Sequence, residues 1–296
     1  MELRTAGHEV TAIGRGQAPS TSAYRWVDWD MSRNSLNLRN VTTPDVVFHL
    51  AAQTSAYQAR QDIPADVTTN VLGFVRLLDS LRKTGSSPHI ILTGAATEVG
   101  ATSSGIIRDF DPEDPQTFYD VGKVAQRLYL NQCCSEGWVD GTTIQLPNVY
   151  GGAGQAISTG RGFINNSVRR ALAIESLDYY SDGEYIRDFL YVDDAVSALI
   201  SAMHHRDKVI GETFLVGTGV GTRIQDALIE IARQAEQVTN KKVILRPVPS
   251  PDIMYAIERR NIIVDSSRFT ERTSWTSEVS LKDGIQKSIV DMLRVG

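Results

Sequence analysis

The residues best placed to do chemistry are a tyrosine and a lysine four apart in FYDVGK, Tyr119 and Lys123. At the start of a helix, that spacing puts both side chains on one face. An ammonium close to a phenol favours the phenolate and draws its pKa down from ~10 toward the working range. Tyr119 is therefore a candidate general base or acid. By itself the pair also fits a plainer reading, a packed tyrosine beside a solvated lysine. The elements that would carry it decide between the two.

Those elements alternate. MELRTA reads as the tail of a helix closed by Gly7, and VTAI (10–13) as a strand. DVVFHLAA (45–52) and HIILTGAA (89–96) are near-continuous apolar runs, the pattern of strands buried on both faces. NVLGFVRLLDSLRKTG (70–85) sets Val71, Phe74, Val75, Leu78 and Leu81 on one side of a helix and stops at Gly85. VGKVAQRLYLNQCCSEG (121–137) is a second helix, and GTTIQLPNVYG (141–151) a strand running into a loop. The order predicts an α/β fold with a doubly wound parallel sheet. After 151 the rhythm changes: a Gly-rich loop GGAGQAISTGRG, a helix INNSVRRALAI, a strand LDYYS and a long amphipathic helix TRIQDALIEIARQAEQVT. The reading is a sheet domain over 1–150 plus 190–220 and a smaller lid over 151–189 plus 221–296. Ligands in such sheets sit beyond the carboxyl ends of the strands. The loops after Ala52, Ala96 and Val149 should therefore face the ligand.

Composition narrows the class. The 296 residues are 42% hydrophobic and 22% charged, ordinary for a soluble globular chain. The net charge of −5 comes without a basic run, which argues against a nucleic-acid partner. The two cysteines, Cys133 and Cys134, are neighbours and offer neither a disulfide framework nor ligand spacing for a metal. They suit a reducing, cytoplasmic setting. His204 and His205 are likewise adjacent and are not read as ligands. No apolar run approaches the ~18 residues of a membrane span, and the first residues are no signal peptide.

The motifs in order resemble one family, the extended short-chain dehydrogenase/reductases, in particular the NAD-dependent sugar-nucleotide epimerases and dehydratases. DVVFHLAAQTS is similar to the family's fourth-strand segment, NVLGF supplies its Asn70, and TGAATEVG stands where it has Ser/Thr followed by Ala-x-Val-Tyr-Gly. FYDVGK matches Tyr-x-x-x-Lys, LPNVYG the loop after the next strand, and GEYIRDFLYVDDAVSAL its most specific piece. FLVGTG and VDSSRFTERTSWTSEVSLKDGI resemble its closing segments. The resemblance implies a Rossmann-like domain, bound NAD and a nucleotide-sugar substrate. Tyr119 would then be the acid/base at a sugar hydroxyl, and Lys123 would hold the nicotinamide ribose. Gly14, Arg15, Asp30 and Met31 would lie at the adenosine end. Leu50, Ala51, Ala52 and Asn70 would line the cofactor path, and Pro147, Asn148 and Val149 would close on nicotinamide and substrate. Thr54, Asn165, Arg187 and one of Arg259 or Arg260 would hold the substrate, the arginines through their planar fork on phosphate oxygens. A homodimer through a four-helix bundle is implied as well. The helices at 70–83 and 121–136 would form it, with Leu77, Leu128 and Leu130 as candidates for its apolar face.

The chain departs from the family pattern in four places. Ala95 occupies the position of the catalytic Ser/Thr. Thr93 and Thr97 flank it, ~7 Å away along the strand if the strand stays extended; Thr97 is favoured and Thr93 is the alternative. The dehydratases' Asp-Glu pair is reduced to Glu98, read as a surface or structural residue, so epimerisation ranks above dehydration or 4-keto-sugar reduction. Gly14-Arg15 stands where NAD enzymes place a ribose-binding acid, which leans toward NADP or relaxed choice. Finally, the family's first strand and Gly-rich loop, roughly 20 residues, are not found ahead of VTAI. The intact later motifs favour a start placed too late, or a fragment, over a degenerate member that binds nucleotide without catalysis.

Overall fold

Apolar runs rich in Val, Ile and Phe become strands, and the periodic segments between them become helices. The computed structural model describes residues 2–18, 24–38, 43–100, 102–152, 162–180, 184–250 and 256–295. Most of the expected Gly-rich loop, 153–161, lies outside the described residues. In chain order, helix α1 (Glu2–Thr5) leads to strands β1 (Thr11–Gly14), β2 (Arg25–Asp28) and β3 (Val46–His49). Helices α2 (Ala56–Gln61) and α3 (Ile63–Asp66), a π-helical turn (Val67–Leu72) and α4 (Gly73–Arg82) follow. Strand β4 (His89–Ala95) ends in a 3-10 turn (Ala96–Glu98). Next come β5 (Ile106–Ile107), α5 (Phe118–Ser135), β6 (Asp140–Leu146), β7 (Asn148–Tyr150), α6 (Phe163–Leu172), β8 (Leu177–Tyr180) and β9 (Ile186–Tyr191). The remainder runs α7 (Val192–His204), α8 (Arg206–Val209), β10 (Thr213–Leu215), β11 (Gly221–Arg223), α9 (Ile224–Thr239), β12 (Leu245–Val248), a 3-10 turn (Ala256–Arg259), β13 (Ile263–Val264), α10 (Ser267–Thr273) and α11 (Leu281–Val295).

Backbone packing divides the chain into two units, residues 1–92 with 117–142 and residues 93–116 with 143–296. The boundary runs through β4 and β6 themselves. In the first unit β3 pairs in parallel with β4, from Val46 opposite His89 to His49 opposite Leu92. In the second, β10 pairs in parallel with β6. The strand order is β10-β6-β4-β3, an α/β arrangement with a parallel sheet. β1 and β2 form a parallel pair of their own. The expectation that β3 is buried on both faces needs correction: Val46, Val47 and Phe48 are half-buried, whereas His89 to Leu92 of β4 are fully buried. β4 has a strand on either side, while β3 ends the order.

The first unit's core joins Phe74, Leu77, Leu78 and Leu81 of α4 to Ile90 and Leu92 of β4 and Leu130 and Cys133 of α5. Leu77 and Leu130 are thus core residues and unavailable to a dimer face. Leu128 is exposed, in line along α5 with Phe118, Val121 and Tyr129. The second unit's core packs α6, α9 and α11 around Tyr150, Phe189 and Tyr191. Among the described residues, no helix is long and apolar enough to cross a membrane.

Candidate functional site

The start of α5 is fixed by its own sequence. The Thr117 hydroxyl caps the helix by accepting the Asp120 amide at 3.2 Å, and it donates to the Asp120 carboxylate at 2.7 Å. An N-cap of this kind is worth roughly 1 kcal/mol, and here it sets where Tyr119 leaves the helix. Lys123 follows one turn later, 3% exposed, with its Nζ 6.0 Å from the centre of the Tyr119 ring. The ammonium thus lies on the same side of the helix as the Tyr119 ring.

Below this pair lies a buried polar cluster. The Asn70 carboxamide accepts the Gln53 amide at 2.8 Å and donates to the Gln53 carbonyl at 3.0 Å and to Asp66 Oδ1 at 3.0 Å. Gln53 Nε2 donates to the same Asp66 oxygen at 2.8 Å. Gln126 Nε2 donates to the Asn70 carbonyl at 2.7 Å and lies 3.4 Å from His49 Nε2. Burial, reinforced by the charge of Lys123, presses the His49 pKa down to about 3, so the ring is neutral. Asn70 was expected to head the helix at 70–85. Instead the helical run begins at Ile63, where Asp62 caps it by accepting the Ala65 amide at 3.0 Å, and Asn70 sits in the π-helical turn. Such turns re-aim side chains at functional sites. This one ties the loop after β3 to the helix by both edges of a single carboxamide.

Sequence reasoning missed Gln53, Asp66 and Gln126. The signal was available: Gln126 lies three residues after Lys123 on the same face, and Asp66 lies four before Asn70.

The loop after β3 leaves Leu50, Ala51 and Thr54 exposed and Ala52 half-buried, which suits a surface that receives a ligand. At the other expected cofactor positions, Gly14 ends β1 under Trp26; a β-carbon there would meet the indole at 2.8 Å. The indole donates to the Gly16 carbonyl at 2.9 Å, and the Gly16 amide donates to Asp28 at 2.8 Å. Arg15 is exposed. Asp30 accepts from the Ser32 amide and hydroxyl, which hold its pKa below the usual carboxylate range. Met31 is 7% exposed and packs on Gly73, so its side chain serves the core.

The second unit holds the remaining candidates. Thr93 lies on β4, but Thr97 does not continue the extended strand, because the chain turns at Ala96. The premise of an even spacing along one strand face therefore fails. The turn is fixed by Glu98, fully buried, whose carboxylate accepts the Ala95 amide at 2.6 Å and Gln145 Nε2 at 2.9 Å. Glu98 is therefore not the surface residue that one reading expected: its carboxylate is engaged inside the fold.

Pro147 links β6 to β7, where Asn148 and Val149 are exposed. The buried Asn165 holds the backbone of Gly151 through both atoms of its carboxamide, at 2.9 and 3.1 Å. Gly151 has φ +92°, and a β-carbon there would run into Tyr191, so both conformation and space require glycine. Arg187 donates to the carbonyls of Ile186 at 3.0 Å, Glu258 at 2.7 Å and Arg260. Burial, with the neighbouring Arg260 charge, lowers its pKa to about 10, which leaves it cationic. Arg260 donates to the carbonyls of Val99 at 2.6 Å and Thr97 at 3.1 Å, and Arg259 is exposed. The Asp188 carboxylate accepts from the Thr218, Gly219 and Val264 amides and the Thr218 hydroxyl. It joins the GTG segment to β13.

A parallel α/β sheet with a Tyr-x-x-x-Lys helix and a polar clamp on the preceding loop defines a nucleotide-dependent enzyme of the short-chain dehydrogenase/reductase class. Residues 1–217 match the NAD dependent epimerase/dehydratase family, and the chain belongs to it. Over 246 residues it is 30% identical to a UDP-glucose 4-epimerase of Mycolicibacterium smegmatis, covering 83% of this chain and 75% of that protein. A GDP-6-deoxy-D-mannose reductase of Pseudomonas aeruginosa is 27% identical, covering 84% and 80%. In structure the chain is similar to UDP-glucose 4-epimerase from Thermotoga maritima, solved with UDP-glucose. The TM-score is 0.81 and the identity 25%, over 99% of this chain and 93% of that one.

Proposed function

We propose that the protein is a sugar-nucleotide epimerase that acts by transient oxidation at C4 of the sugar, with Tyr119 as acid/base. The observation that carries this reading is the Tyr119–Lys123 pair on α5, set over the clamp of Asn70, Gln53 and Asp66. The ammonium lowers the cost of the phenolate, so Tyr119 takes the C4 hydroxyl proton and later returns it. Thr97 or Thr93 would steady that hydroxyl in place of the family's Ser/Thr.

The residues present suit the nicotinamide end of NAD. Lys123 offers a nearly dry ammonium to the ribose hydroxyls, and Leu50, Ala51 and Ala52 offer an apolar loop edge. Nicotinamide, when bound, supplies the acceptor and donor of hydride. Asn148, Asn165, Arg187 and Arg260 would orient the nucleotide diphosphate. In functional terms, residues 1–150 with 190–220 would serve the cofactor and the rest the substrate. The protein would work in the cytoplasm as a homodimer, joined through the exposed face of α5.

A second reading, a 4-keto-sugar reductase using NADPH, is favoured by Arg15. At the end of β1 this cation is exposed, while Asp28 and Asp30 are already engaged by Gly16 and Ser32. An arginine there suits a 2′-phosphate.

The test is incubation with UDP-glucose and UDP-galactose and catalytic NAD, with products followed by proton NMR. Interconversion without net NAD reduction supports epimerisation, and loss of that turnover by about a thousandfold in Tyr119→Phe, with UDP binding kept, supports the residue's role. Stoichiometric NADPH consumption with a 4-keto-sugar would instead establish the reductase. Unaltered turnover in Tyr119→Phe would exclude this mechanism.

A further inference from the structure

Asp66, at the end of α3, enters the mechanism above only as part of the loop clamp, yet it is placed to act on the catalytic pair as well. It is 2% exposed. One oxygen, Oδ1, accepts from Gln53 Nε2 at 2.8 Å and Asn70 Nδ2 at 3.0 Å. The other, Oδ2, has no hydrogen-bond partner among the described residues. It looks toward α5, where a β-carbon on Gly122 would lie 3.5 Å from it. The next residue is Lys123, itself 3% exposed. A carboxylate oxygen taken from water without a donor is costly unless a positive charge compensates.

The charged and titratable groups on the elements packed against α3 are Tyr57 and Arg60 of α2 and Tyr119, Asp120, Lys123, Arg127, Tyr129, Cys133 and Cys134 of α5. His49 adjoins the cluster through Gln126 and is neutral. Asp120 is bonded to Thr117, and Arg60 is exposed. Burial raises the Asp66 pKa, while the Gln53 bond and the charge of Lys123 draw it back.

We propose that Asp66 is a positioning residue of the Tyr119–Lys123 pair. One oxygen pins the loop through Gln53 and Asn70, and the other faces α5 as the buried counter-charge that keeps Lys123 protonated and in place. The proposal rests on the reading of Tyr119 as acid/base. It separates two tasks that one clamp would otherwise blur: holding the loop, which any acceptor at position 66 can do, and holding the charge, which only a carboxylate can.

Asp66→Asn isolates the second task, because an asparagine oxygen can still accept from Gln53 and Asn70. Removing the negative charge leaves the buried Lys123 ammonium uncompensated. The Lys123 ionisation midpoint, followed by 15Nζ NMR in ligand-free protein, should therefore fall by about half a unit or more. An unchanged midpoint in the folded variant overturns the proposal.

A second measurement needs no change at position 66. The Asp66 carboxyl titration, read by 13Cγ NMR, should move up by about half a unit or more in Lys123→Met, since the compensating charge is gone. No movement overturns the counter-charge. Both readouts are taken without turnover. A Tyr119→Phe variant of normal activity would therefore sink the functional reading and leave these two outcomes to be judged on their own.

Discussion

Gln145 Nε2 donates to Glu98 Oε2 at 2.9 Å inside the second unit, while the other oxygen of the same carboxylate takes the Ala95 amide. The one acid that survives where dehydratases carry two is thus committed to folding the turn that ends β4. Glu98→Ala strands a buried amide and a buried backbone N–H, and should cost about 3 kcal/mol. A urea denaturation midpoint checks this, and Glu98→Gln, which keeps one acceptor, should cost less. If Glu98 were instead a catalytic acid, Glu98→Gln would keep its stability and lose its turnover.

His49 makes stability depend on pH below the range where an ordinary imidazole titrates. Its folded pKa, near 3, lies below the unfolded value of ~6.5. Above pH ~6.5 both states are neutral and the full stability is present. As pH falls from there toward 3, the unfolded chain binds a proton that the fold refuses, and stability drops by up to about 1.4 kcal/mol per unit. Urea midpoints at pH 7 and pH 5 should differ accordingly, and His49→Leu should flatten that slope. A slope unchanged in His49→Leu would mean that another group carries it.

Arg187 spans three backbone carbonyls, which a single ammonium cannot reproduce. If its guanidinium also meets a diphosphate, Arg187→Lys should weaken UDP binding roughly tenfold, about 1.4 kcal/mol. Calorimetric titration with UDP reads this directly. Unaltered affinity beside a lowered melting temperature would make Arg187 a strut for the 256–260 segment and nothing more.

The outer face of α5 gives the proposed dimer its test. Phe118, Val121, Leu128 and Tyr129 are all exposed and fall along one side of the helix. Val121→Glu with Leu128→Glu should convert a dimer to a folded monomer in sedimentation, with the circular dichroism spectrum kept. Leu77→Glu, which places a charge in the core, should unfold the unit instead.

The sequence by itself determined the alternation of strands and helices, the parallel α/β class and the Tyr119–Lys123 pair. Each depends on spacing along the chain: apolar runs for β4, a 3.6-residue period for α4 and α5, four residues between phenol and ammonium. Glu98 was half legible, since its type suggested an acid's chemistry while its position suggested structure. What only the tertiary structure decided depends on partners far away in the chain. Gln53 meets Asn70 and Asp66 across a loop. Leu77 and Leu130 are drawn inward by β4, although their helices offered other faces. Thr97 leaves the strand line because a buried Glu98 turns the backbone three residues after Ala95. Local periodicity says which side chains share a face. Which face is buried, and which polar group finds its partner there, is settled only when the desolvation of each group is weighed against every neighbour the fold brings to it.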